Sequence, residues 1–142
     1  MKLKRQPEDF QVEELSEFPA SDAAHLCRLV LMQALPAAAE SDLATFGAAI
    51  KELQARIGDY FSPVQGGNRF TSPDVGAVLA HLDADGAHGI GQSSWGPTGF
   101  AFAASQQEAE RLAVRARAHP QGQGLDIRIC AALNRGAEIA AE

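Results

Sequence analysis

Gly89–Ala103, GIGQSSWGPTGFAFA, is the stretch on which the reading of this chain turns. Its second part, Thr98–Ala103, alternates Phe100 and Phe102 with small residues, the pattern of a strand with one apolar face. Its first part, Gly89–Thr98, places Gly89, Gly91 and Gly96 among the neutral donors Gln92, Ser93, Ser94 and Thr98. Glycine admits positive φ and lets a ligand come close to the backbone. Successive backbone N–H groups in such a loop form a concavity for an anion. Trp95, the one tryptophan of the chain, is a flat wall for a ring or a sugar. The same residues also read as a glycine-rich hairpin with a buried tryptophan. No Gly-Lys-Ser/Thr ending follows, so an ordinary nucleotide P-loop is not expected.

A second small-residue stretch lies upstream, Val64-Gln65-Gly66-Gly67-Asn68-Arg69, within a loop over Asp59–Thr71. Gln65, Gly66 and Gly67 fit another wall of the same pocket, and Arg69 is a candidate phosphate partner. The other reading is a plain loop between helices.

The flanking elements are mostly helical. Ala23 to about Pro36 carries Leu26, Leu29, Val30, Leu31 and Ala34, which predicts a well-buried helix stopped by the proline. Leu43, Phe46, Ile50, Leu53 and Ile57 make one helical face, with Ser41 as N-cap and Gly58 as stop. Lys51, Glu52 and Arg56 then face water. Ser72-Pro73-Asp74 is a strong helix start: a cap, a proline at the first position and an acid at the positive end of the dipole. Val75, Val78, Leu79 and Leu82 form its apolar face, and Gly86 ends it. Ser105 and Glu108 have capping-box spacing for a helix to about Ala118, with Ala109, Leu112, Ala113 and Ala116 inward. Leu125, Ile127, Ile129 and Ala131 alternate with polar positions, which predicts a last strand. The class is α+β, with helices packed on one face of a small, mainly antiparallel sheet.

The chain has 142 residues and a net charge of −6, the size of one domain and no general surface for nucleic acid. Residues 1–22 form a charged leader, read as an edge strand or an unrelated fusion, and 23–142 form the domain. No apolar run reaches the ~18 residues of a membrane span, so a cytoplasmic location is expected. Cys27 and Cys130 sit in apolar runs, which predicts buried free thiols. His25, His81, His88 and His119 lack ligand spacing, so no metal site is expected. No nucleophile or general base stands out, and no catalytic residue is assigned.

From about His25 to Ala137 the chain resembles the C-terminal part of the beta-ribofuranosylaminobenzene 5'-phosphate synthases, members of the GHMP kinase superfamily. The likeness rests on His25–Phe61, on PVQGG, on GIGQSSWGPTGFAF and on the terminal NRGA. It implies a GHMP-kinase C-terminal-like domain whose glycine-rich loop faces an active site. Carried over, Gly89, Gly91, Gln92, Ser93, Ser94, Trp95, Gly96, Pro97 and Thr98 occupy that loop, and Gln65, Gly66 and Gly67 the family's QGG stretch. The family reaction joins phosphoribosyl pyrophosphate to a hydroxy- or aminobenzoate, releasing pyrophosphate and carbon dioxide, in tetrahydromethanopterin biosynthesis. The expected ligand is therefore an anionic sugar phosphate, with magnesium only as companion of the pyrophosphate.

The superfamily's N-terminal Pro-x-x-x-Gly-Leu-Gly-Ser-Ser phosphate loop has no match here, and catalysis by this chain alone is not expected. A separate N-terminal domain or a second copy, meeting the face that domain would cover, is the expected partner. That leaves a non-enzymatic interaction module as the competing function. Lys4–Leu15, KRQPEDFQVEEL, resembles instead the opening of the pseudouridine synthase D family, implying a tRNA pseudouridine synthase fragment. A joined reading frame would account for the two resemblances meeting near Asp22.

Overall fold

The Ser72-Pro73-Asp74 signal builds what it predicts. In the computed structural model, which describes residues 15–133, 135 and 136, the Ser72 hydroxyl accepts the Val75 amide at 3.3 Å. Pro73–Ala84 is helical behind that cap. Counting along the chain, α1 (Ala20–Leu29) runs through a π turn (Val30–Ala34) into α2 (Leu35–Ala39). Then come α3 (Leu43–Phe61), a 3-10 turn (Ser62–Gln65), α4 (Pro73–Ala84), β1 (Ile90–Gln92), β2 (Gly99–Ala101) and α5 (Gln106–Ala118). A last 3-10 turn covers Pro120–Gly122.

The two strands form an antiparallel hairpin with Ile90 opposite Ala101, Gly91 opposite Phe100 and Gln92 opposite Gly99. The class is α+β, a helical molecule around a small antiparallel sheet. Two apolar clusters hold it. Val78 and Leu82 of α4 pack with Ala87 and with Leu112 and Ala116 of α5, and Ile90, Ala101 and Ala103 close over them. Leu29, Ala34 and Ala49 form the other cluster between the first helices and α3, with Phe46, Ile50 and Leu53 at its rim. Each leucine so buried contributes roughly 2–3 kcal/mol by removal from water.

Six local expectations are corrected by tertiary structure. The first helix does not stop at Pro36. A proline ring clashes with the carbonyl four residues back, and here the wider turn absorbs it: the Leu35 amide bonds to the Val30 carbonyl, five residues back. That helix is also less buried than its leucines suggest, with Leu31 and Leu35 exposed. Asp42, rather than Ser41, caps α3, its carboxylate accepting the Thr45 amide at 3.0 Å. Gly58 does not end α3 but lies inside it, where a Cβ would sit 3.1 Å from the Cβ of Arg69. Residues 125–133 join no strand among the described residues. Leu125 and Ile127 do lean on the core, but the Ile127 carbonyl is taken by the Arg117 guanidinium at 2.9 Å rather than by a ladder. Cys27 and Cys130 are both free and exposed, Cys27 on the outward side of the first helix and Cys130 within the exposed run 129–133.

Glu108 forms the expected box with a shift of one residue. Its amide donates to the Ser105 hydroxyl at 3.2 Å, while its carboxylate accepts the Ala104 amide at 2.7 Å. Asp85, at the end of α4, is clasped by Arg115 and Arg111 of α5 at 2.9 and 2.8 Å. The Arg115 hydrogen bond, joined by the charge of Arg111, holds the Asp85 carboxyl below its ordinary range. A carboxylate depressed in this way stabilises the fold above its unfolded pKa, and the contribution is lost as pH falls through the folded value. Asp85→Asn should therefore lower the melting temperature at neutral pH, and the difference from wild type should shrink as pH falls below the ordinary carboxylate range; thermal melts across pH check this.

The helices meet the sheet through glycine. A Cβ on Gly47 of α3 would lie 1.7 Å from the His88 carbonyl oxygen, and one on Gly89 would lie 2.7 Å from the Gly47 carbonyl oxygen. Both obstacles are backbone, so no side chain can swing away. Gly47→Ala should cost about 3 kcal/mol or more in urea unfolding. Gly124→Ala, where a Cβ meets nothing within 4 Å, should change stability little.

Candidate functional site

Because α3 lies against β1, one of its side chains reaches the outer edge of the strand. The Gln92 amide, which points away from β2, donates to Gln54 Oε1 at 2.9 Å. The two are close enough that a Cβ on Gly91 would strike the Gln54 side chain at 2.5 Å. Past Gln92 the chain turns over 93–98. The Ser93 amide bonds to the Thr98 carbonyl at 2.8 Å and the Gly96 amide to the Ser93 carbonyl at 2.9 Å. Ser94 and Gly96 take positive φ of 52° and 70°, and Gly96–Pro97 is cis.

Gln92 is the one buried polar residue among the described ones, with 8% of its surface exposed. Burying an amide is costly unless it is bonded, and its bonds also fix its orientation. Oε1 accepts the Thr71 amide at 2.7 Å, while Nε2 donates to the Ser94 carbonyl and to Gln65 Oε1, both at 3.2 Å. A backbone N–H can only donate and a carbonyl can only accept, so the Gln92 amide cannot be flipped. Gln65 is fixed in turn: its oxygen faces Gln92 and the Thr71 hydroxyl, 2.8 Å away, and its NH2 group is left for the adjoining space. The same Thr71 hydroxyl lies 2.7 Å from the Trp95 carbonyl. Thr71 thus ties the 3-10 turn, the start of α4 and the hairpin tip together.

That space is a cavity of about 390 Å³ between α3, the 62–70 segment and the hairpin. Ile57, Phe61, Phe70, Ile90 and Trp95 form its apolar walls, and Gln54, Gln65, Gln92 and Ser94 its polar ones. Trp95 is held by an edge-to-face contact with Phe61, centroids 4.9 Å apart. Lys51 and Arg69 also line the cavity, and both are engaged. Lys51 Nζ sits 2.7 Å from Asp83 Oδ1, and the Arg69 guanidinium grips the Asp59 carboxylate, whose hydrogen bond holds the arginine's pKa above its ordinary value.

The structure therefore brings Gln65, Gln92, Ser94 and Trp95 together at one cavity. Gly89 and Gly91 stand behind it as packing positions against Gly47 and Gln54. Ser93, Gly96, Pro97 and Thr98 shape the hairpin tip, and the Ser93 and Gly96 amides are spent within it. Gly66 and Gly67, at φ 74° and 81°, turn the chain after the 3-10 segment with nothing within 4 Å of a Cβ. His88 lies elsewhere, 3.6 Å from Glu108. The sequence does not single out Gln54 and Lys51 as site residues: helical spacing sets Lys51 toward water, and the one signal is an uncharged amide on the long α3 face.

A family model described as GHMP kinases C terminal matches residues 34–121, which hold the whole of α3, α4, both strands and α5. The chain belongs to this GHMP kinase C-terminal family. It is 32% identical over 121 residues to the beta-ribofuranosylphenol 5'-phosphate synthase of Archaeoglobus fulgidus, covering 85% of this chain and 36% of that protein. It is 29% identical over 85 residues to the protein of the same name from Methanothermobacter thermautotrophicus, covering 60% of this chain and 24% of that one. The chain thus spans about a third or less of these curated relatives. No solved structure matches it at a significant level.

The chain is a partial synthase-like protein of the GHMP kinase C-terminal family. The likeness to pseudouridine synthase D finds no support in the family match, which starts at residue 34. It rests on 4–15, of which all but Leu15 lie outside the described residues. No described helix is long and apolar enough to cross a membrane. Among the described residues no three His, Cys, Asp or Glu side chains cluster to hold a metal ion.

Gln92 is the residue on which the site's shape depends. Gln92→Leu keeps the volume but leaves the Thr71 amide and the Ser94 carbonyl without their partner. It should cost about 2–4 kcal/mol in chemical unfolding, whereas Ser93→Ala, at an exposed position, should cost under about 0.5 kcal/mol.

Proposed function

We propose that this domain supplies the C-terminal wall of a synthase-type site and binds a sugar phosphate there, phosphoribosyl pyrophosphate being the candidate. The observation that carries the reading is the cavity beneath the Gly89–Thr98 hairpin, in a chain 32% identical to a beta-ribofuranosylphenol 5'-phosphate synthase over 85% of its length. The pathway implied is tetrahydromethanopterin biosynthesis. Most of the length of each relative lies outside the match, so the domain alone is assigned binding and no turnover.

The chemistry is that of exchange. A phosphate arriving at the cavity meets Lys51 and Arg69, each held by a carboxylate, Asp83 and Asp59. All four side chains are substantially exposed except Asp83. Surface pairs of this kind are worth about 0–1 kcal/mol, so a multivalent anion displaces the carboxylates at small cost. The Gln65 NH2 group and the Ser94 hydroxyl add neutral donors. Phe61, Phe70 and Trp95 give the apolar side on which a ring or a ribose can lie. Asp59 and Asp83 are both occupied by cations, so magnesium would enter on the pyrophosphate.

Trp95, the single tryptophan, reports binding directly. Titration with magnesium phosphoribosyl pyrophosphate should change its fluorescence saturably, with affinity weakened by salt. Arg69→Gln should weaken binding about tenfold while leaving the far-ultraviolet circular dichroism unchanged. The absence of any saturable change, with or without magnesium, would count against the proposal.

A further inference from the structure

The helical stretch Ala20–Ala39 carries an apolar face that nothing among the described residues covers. Leu31, Met32 and Leu35 are 61%, 67% and 56% exposed. Ala24, Cys27, Leu31, Leu35 and Ala39 run down the middle of the outward side at spacings of three and four. Arg28, Met32, Pro36 and Glu40 run beside them at intervals of four, all exposed. The inward side is separate: Leu29, Ala34 and Ala37 are buried. The other exposed large apolar side chains among the described residues, Trp95, Val114, Ile129 and Leu133, lie elsewhere in the chain and form no such helical row.

We infer that this face is the interface of a two-fold dimer, its partner a second copy of the same chain. Charge decides the occupant. Arg28 and Glu40 are the two charged residues on the outward row, on the same flank, six positions either side of Ala34. Among the described residues no side-chain hydrogen bond or ion pair engages either. A two-fold rotation that lays two copies of this helix antiparallel about Ala34 reverses its direction and keeps its flank. It therefore sets Arg28 of each copy against Glu40 of the other, about 9 Å on either side of the axis. Leu31, Met32 and Leu35 meet between the two ion pairs. Such an interface is self-complementary, as a two-fold contact must be. A parallel two-fold pairing would instead leave the two Arg28 side chains level on opposite flanks, with no Glu40 beside either. This inference is independent of the ligand reading, because α1 and α2 do not line the cavity.

Sedimentation velocity of the full chain across a dilution series should show a reversible dimer. Leu35→Glu should give a monomer whose melting temperature matches that of wild type diluted to the monomer, since the side chain is exposed in the single chain. Arg28→Glu should weaken the dimer about tenfold by opposing two like-charge pairs, and Arg28→Glu combined with Glu40→Arg should restore it. Cys27 lies on the face and Cys130 is exposed elsewhere, so dimerisation should slow alkylation of Cys27 but not of Cys130. A wild-type chain that stays monomeric throughout, a dimer indifferent to Leu35→Glu, or a charge swap that fails to restore association would each overturn the inference.

Discussion

The close approach of Gly47 to Gly89 is the constraint on which the rest of this structure depends. A helix and a strand ordinarily stand apart by the width of their side chains. Here the helix backbone meets the strand backbone, with no room for a Cβ on either. This contact sets α3 against the outer edge of β1, so that Gln54 can take the Gln92 amide. It also brings Phe46 within 5.5 Å of Phe102. The exposed edge of a two-stranded sheet is closed by a helix, as isolated edges need to be.

The buried Gln92 follows from that placement. With its backbone held by Gln54 and its side chain by Thr71, Ser94 and Gln65, it connects three segments distant in sequence. An apolar residue would pack there but could not satisfy the backbone groups that meet at that point. The polar network therefore shapes the cavity and costs little stability, since every group on Gln92 is bonded. The two cation–carboxylate pairs around the cavity are of a different kind. They are mostly exposed and weak, and they leave positive charge available to an anion without a large desolvation cost.

The elements with strong local signals were legible in the sequence. Ser72-Pro73-Asp74 and Ser105-x-x-Glu108 carry their own caps, and α4 and α5 begin where those signals lie. The Phe100 and Phe102 alternation marks a strand because both rings gather on one side, 5.1 Å apart. What escaped the sequence was set by contacts between segments. Gly58 resembles a helix stop, yet it is required by the nearness of Arg69. Pro36 resembles a terminator, yet a π turn carries the helix through it. The 125–131 alternation reflects two side chains touching the core, with no strand beside them. Of the site, the hairpin residues and Gln65 were visible as donors. Gln54 and Lys51 were not, because helical spacing says which face a residue occupies and not which loop folds back over that face.

The most direct test of the account is the mapping of amide nuclear magnetic resonance shifts on adding phosphoribosyl pyrophosphate with magnesium. Binding in the cavity should move the side-chain amides of Gln65 and Gln92 and the Trp95 indole resonance together, with a single dissociation constant, while the amides of α1 and α5 stay in place. Shifts confined to α1 or α5, or scattered over basic residues without saturation, would contradict the placement of the ligand beneath the Gly89–Thr98 hairpin.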